Sequence, residues 1–145
     1  MPPPSEAALE ALIADAREAA GRAYAPYSGF HVGAAVLVAD GRVFTGANVE
    51  NASYGLSICA EANAVMAAVL AGARDIAAVA ITGYSAASPE TPRLATPCGR
   101  CRQIMAEFAS SEAVVHVATF IDGADETLKT SVGALLPHSF GPRSF

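Results

Sequence analysis

Residues 6–20 place apolar side chains at Leu9, Leu12, Ile13 and Ala16. That spacing marks an amphipathic helix with one buried stripe. Ser5 in front is suited to cap it, and Gly21 behind is suited to end it. Phe30 to Ala39 is almost continuously apolar, which predicts a strand covered on both faces inside a sheet. Asp40-Gly41 predicts a hairpin, with Arg42 to Val49 returning as its partner. Residues 50–58 read as a polar loop. Cys59 to about Leu70 predicts a helix that stops at Gly72, and Asp75 to Thr82 another buried strand. A Ser/Pro-rich loop covers about 83–97, and a second helix runs from near Gly99 to near Ser110. Ala113 to Phe120 predicts a strand, Asp122-Gly123 a turn, Thr127 to Thr130 a short strand, and Ser131 to Leu136 a helical turn before Pro137. Helix, hairpin, then helix and strand in alternation imply a three-layer α/β domain with a mixed sheet.

A chain of 145 residues reads most simply as one domain over 1–145, with residues 1–5 expected to be disordered. Hydrophobic residues make up 52% of it, yet no apolar run approaches the length of about 20 that spans a bilayer. Met1 to Ser5 carry neither the basic region nor the apolar core of a secretory signal. A cytoplasmic location is therefore expected. The net charge is −5, and Lys129 is the only lysine. Scattered arginines and an acidic balance argue against a nucleic-acid partner, which needs clustered cations to neutralise phosphates. A small neutral ligand fits better.

The chemistry sits in two short strings that hold all three cysteines, Cys59-Ala60-Glu61 and Pro97-Cys98-Gly99-Arg100-Cys101. An odd, clustered set of cysteines makes a poor disulfide framework and fits a reducing compartment. A Cys-x-x-Cys alone serves equally as a redox pair or as half of a structural zinc site. Joined to a third Cys, with no fourth, it leaves one position of a tetrahedral metal open, the pattern of catalytic zinc. His31, His116 and His138 are fourth ligands on paper only. The first two lie in strands and read as structural, and the third follows Pro137 in a loop. Cys98 and Cys101 share one face of a helical turn. Cys59 and Glu61, two apart, point to opposite sides of a regular helix, so they meet only if Cys59 stands at the cap.

Asn48-Val49-Glu50-Asn51-Ala52-Ser53-Tyr54, the two cysteine strings and Arg102-Gln103 resemble the small homotetrameric, zinc-dependent cytidine deaminases. So do residues 25–34 and 135–142, and together the matches span about residues 22–142. The resemblance implies the three-layer α/β/α deaminase fold on a mixed five-stranded sheet. It implies one zinc per subunit on Cys59, Cys98 and Cys101, whose hydroxide attacks C4 of cytosine. Glu61 would move the protons, first from water to N3 and then to the departing amine. The Ala60 backbone would hold the base carbonyl, and the Pro97 carbonyl would orient the amine. Asn48 and Glu50 would bind the ribose 3′-hydroxyl, and Phe30 would pack on the nucleoside. Ala52, Tyr54 and Phe140 would reach the pocket from neighbouring subunits, so the expected partners are a pyrimidine nucleoside and three further copies of the chain.

One residue departs from that pattern. Relatives commonly carry Arg where this chain has Ala62, and that cation offsets the thiolates' charge. Its loss implies an altered pH profile or a broadened substrate range, which introducing Arg at 62 would test, and Arg102 or Arg100 are the candidates to compensate. A deaminase of modified cytosine nucleosides, a cytidylate deaminase and a zinc-stabilised binding module are the competing readings. Glu61 speaks against the last, because a structural zinc has no use for a carboxylate there.

Overall fold

The computed structural model describes residues 2–121 and 126–145; the Asp122-Gly123 turn expected from sequence lies outside them. The elements are α1 (Glu6–Ala20), β1 (Phe30–Val38), β2 (Val43–Ala47), α2 (Ala60–Leu70), β3 (Ile76–Ser85), α3 (Gly99–Phe108), β4 (Ala109–Ala118), β5 (Thr127–Ser131) and α4 (Val132–Leu135). Single 3-10 turns cover Tyr54–Leu56 and Pro142–Ser144. The five strands form one sheet in the order β2-β1-β3-β4-β5. Only β3 and β4 run parallel, so the sheet is mixed. Among the described residues no helix is long and apolar enough to cross a membrane.

Alternation along the strands assigns the two faces. Ala35, Ala78, Ala80 and Ala118 cluster with Leu9, Leu12, Ile13 and Ala16 of α1. Val36, Val79, Ile81, Val115 and Val117 cluster on the other face with α2 and with Met105 of α3. The Ser5 hydroxyl accepts the Ala8 N–H at 3.1 Å, which caps α1 as its sequence predicts.

Two glycines bring the helices onto the sheet. A Cβ on Gly33 would stand 1.9 Å from the Ala16 carbonyl oxygen of α1, and one on Gly46 would stand 2.4 Å from the Ala64 nitrogen of α2. Only a residue without a side chain fits at either point. At the hairpin, Gly41 takes φ +95°, a left-handed conformation that glycine adopts without strain.

Several boundaries differ from the sequence reading. β2 ends at Ala47 rather than Val49, which instead makes isolated bridges to Tyr24 and Ile58. β3 continues to Ser85, because β1 offers pairing as far as Phe30. α3 stops at Phe108, and β4 starts at Ala109 instead of Ala113. Ala109 is already extended, at φ −129° and ψ 146°, and pairs with Ile76. The helix therefore passes into the strand with no loop to signal the change.

Candidate active site

α2 and α3 place their N-termini at one point. Cys59 caps α2 at φ −73°, ψ 156°, and Cys98 caps α3 at φ −69°, ψ 168°. Neither thiol bonds its own helix's backbone, so both are free to face a common centre. Cys59 is outside helical geometry, which resolves the conflict between it and Glu61. Three residues into α3 the buried Cys101 joins them. The ligand atoms of the three cysteines all lie within 4.8 Å of one another, and the Cys59 and Cys98 sulfurs are 3.9 Å apart. Four ligands about 2.3 Å from a tetrahedral zinc stand about 3.8 Å from each other, so the donor set fits that ion in number, type and spacing. A disulfide would need sulfurs about 2.05 Å apart.

The helix N-termini favour negative charge on the cluster. A hydrogen bond from Cys101 lowers the Cys59 pKa to about 6 despite burial, with further help from Cys98 and Arg100. The same bond pushes the Cys101 thiol up, and burial adds to it. Glu61, in the first turn of α2, is only 5% exposed. Burial is the main cause that raises its pKa to about 7, and the Cys59 charge adds to it. A carboxyl in that range both accepts and releases protons.

Asn48 and Glu50 are drawn to the start of β1. The Asn48 side chain accepts from Val32 N–H and donates to the Phe30 carbonyl, both at 2.8 Å. It therefore fixes the half-buried Phe30 and keeps one amide hydrogen free of these two bonds. Glu50 accepts from Tyr27 N–H at 2.9 Å, from Ser28 N–H at 3.1 Å and from the Ser28 hydroxyl. The Ser28 bonds hold its carboxyl below the usual range. A cavity of about 330 Å³ is lined by Tyr27, Ser28, Glu50, Tyr54 and Ser57. Tyr54 leaves 74% of its surface exposed there.

Ala52 is exposed, as is Phe140, whose carbonyl accepts from Gln103 Nε2 of α3 at 2.9 Å. Ala62 is buried. Of the two arginines put forward to replace the missing cation, Arg100 acts on Cys59, whereas Arg102 donates to the carbonyls of Pro97 and Leu135.

Sequence reasoning missed Asn63, whose Nδ2 donates to the Ala47 carbonyl at 2.8 Å and ties α2 to the end of β2. A lone amide inside the apolar run Ala-Glu-Ala-Asn-Ala-Val was the available signal. Ser28 was missed as well, since nothing in a turn's composition reveals that its hydroxyl serves Glu50.

Comparison with known proteins agrees with this geometry. Residues 7–117 match the family model described as the cytidine and deoxycytidylate deaminase zinc-binding region. A cytidine deaminase of Halalkalibacterium halodurans is 43% identical over 129 residues, covering 89% of this chain and 91% of the relative. One from Mycobacterium tuberculosis is 42% identical over 132 residues, covering 90% and 87%. The crystal structure of cytidine deaminase from Burkholderia pseudomallei superposes with a TM-score of 0.79 at 45% identity, over 90% of this chain and 98% of the other. Three thiols gathered at two helix N-termini beside a buried carboxyl thus stand in a chain whose whole fold has counterparts among these enzymes, and the chain belongs to the zinc-binding cytidine and deoxycytidylate deaminase family.

Proposed function

We infer that this chain is an enzyme that hydrolyses cytidine and 2′-deoxycytidine to uridine and 2′-deoxyuridine, releasing ammonia. The observation that carries the reading is the convergence of Cys59, Cys98 and Cys101 within 4.8 Å, with Glu61 buried in the same first turn that Cys59 caps. Zinc on those three thiolates supplies the Lewis acidity that makes water a nucleophile near neutral pH. Glu61 takes one proton of the attacking water and passes it to N3 of the base. It then takes the remaining proton of that water's oxygen, by then bonded to C4, and passes it to the amine as the C4–N bond breaks. One carboxyl therefore serves as base and then as acid. The Ala60 backbone holds the base carbonyl, and the Pro97 carbonyl orients the amine. Asn48 and Glu50 hold the ribose 3′-hydroxyl, and Phe30 packs on the nucleoside.

The working form in this reading is a homotetramer, with Ala52, Tyr54 and Phe140 completing pockets in neighbouring subunits. The exposure of Tyr54 and of Phe140, at 74% and 61%, supports a partner surface over both. Shared pockets tie activity to assembly, so dissociation should abolish it. Free thiols suit the cytoplasm, and the reaction suits pyrimidine salvage.

Metal removal and a substrate panel test the assignment. Zinc-loaded protein should convert cytidine and deoxycytidine but leave cytidine 5′-monophosphate nearly untouched. Chelation should abolish turnover, and added zinc should restore it. Faster turnover of the monophosphate would replace this reading with a nucleotide deaminase. Full activity in metal-free protein would refute it.

A further inference from the structure

Arg102 reaches two carbonyls that belong to different parts of the chain. Its Nε donates to the Pro97 carbonyl at 2.8 Å, and its Nη1 donates to the Leu135 carbonyl at 3.1 Å. Cys98 is the cap of α3, so Pro97 precedes the cap and Arg102 is the fourth helical residue. A hydrophobic staple commonly joins those two positions and fixes the direction in which a chain enters its helix. Here a charged hydrogen bond stands in the staple's place.

The surroundings give that bond its importance. Residues 86–98, which lead into the helix, contain no helix or strand. Pro97 has no N–H with which to anchor itself. It is fully buried, and the Arg102 N–H donates to the Cys98 carbonyl at 3.0 Å. Those contacts set where the backbone passes, while the guanidinium sets which way the Pro97 carbonyl faces. The other end of the fork rests on the last residue of α4, where a helix leaves carbonyls without internal partners. Guanidinium nitrogens are held in one plane, so the two acceptors are fixed relative to each other. A carbonyl has a second lone pair, so the bond to Arg102 leaves Pro97 able to accept from a substrate amine.

We propose that Arg102 is a positioning residue, bracing the Pro97 carbonyl and the Cys98 thiol against the end of α4 so that both face the reacting centre. Its effect on turnover rests on the deaminase reading; its effect on the geometry of the metal site does not.

The test uses full-length wild-type, R102M and R102K proteins, each loaded with zinc for kinetics and with cobalt(II) for absorption spectroscopy. Fully metal-loaded R102M should lose about 10–100-fold in kcat, the range seen when groups that orient metal ligands are removed. KM should change much less, and the cobalt ligand-field bands should shift. R102K keeps the charge without the planar fork, so it should remain impaired and spectrally altered. Wild-type kcat together with an unchanged cobalt spectrum in metal-loaded R102M would overturn the proposal. If R102M does not fold, the same pair of results in R102K would overturn it. If wild-type protein fails to deaminate cytidine, the functional reading falls, and the cobalt spectra alone then decide whether Arg102 positions the thiol.

Discussion

His116 shows how one side chain can serve the fold while resembling a ligand. It lies on the α1 face of β4, with Lys129 of β5 and Glu6 and Arg17 of α1 around it, and its Nδ1 is buried without a partner among the described residues. Burial is the main cause that holds its pKa below the ordinary value, and Lys129 adds to it. The unfolded chain then binds more protons than the folded one between the unfolded value, about 6.5, and the depressed folded value. The histidine's contribution to stability should fall as pH drops through that window. Glu61, with its raised pKa, acts in the opposite sense over this range, so the test is relative. The urea midpoint of wild type minus that of H116L should be lower at pH 5.5 than at pH 7.5. An equal difference at both pH values would show that His116 does not carry the effect. At this scale much was legible: the spacing of the three cysteines pointed to one cluster, and the structure gathers their sulfurs within 4.8 Å in a set that could hold a metal ion. Ser28 and Asn63 were not legible, because their roles rest on hydrogen bonds to residues far away in sequence.

Elements matter here through where their first turns lie. α1 could be read from its stripe and its cap, and it packs where the stripe requires. α2 is apolar nearly all round, so periodicity could not say which face meets the sheet. Gly46 decides that, with Ala60 and Ala64 of α2 resting on it. G46A should therefore push α2 outward and cost about 1–3 kcal/mol, the usual penalty for overpacking. Because that shift moves the turn carrying Cys59 and Glu61, the folded fraction should also lose activity. G33A is the matched comparison, since it strains α1, which carries no site residue. It should lower the urea midpoint comparably while leaving kcat close to wild type. Equal kcat losses in the two variants would contradict this division. The junction of α3 and β4 was misplaced for a related reason. Its helix gives way to a strand with no glycine or proline between them, and pairing with Ile76 drives the change.

For the molecule as a whole, the alternation of strands and helices foretold the mixed sheet, and the two cysteine strings foretold where its chemistry would gather. The order of strands and the meeting of two helix ends depend on contacts between distant segments, so periodicity alone could not supply them. Both bear on the central claim, that one buried carboxyl beside a three-thiolate metal site removes the amine from cytidine. The direct measurement compares zinc-loaded wild-type protein with E61Q, following the loss of cytosine absorbance and confirming uridine by chromatography. The account predicts conversion by wild type and a loss of about 10²–10⁴-fold in E61Q, the usual worth of a proton-transferring group, with zinc content unchanged. Undiminished turnover by zinc-loaded E61Q would contradict it.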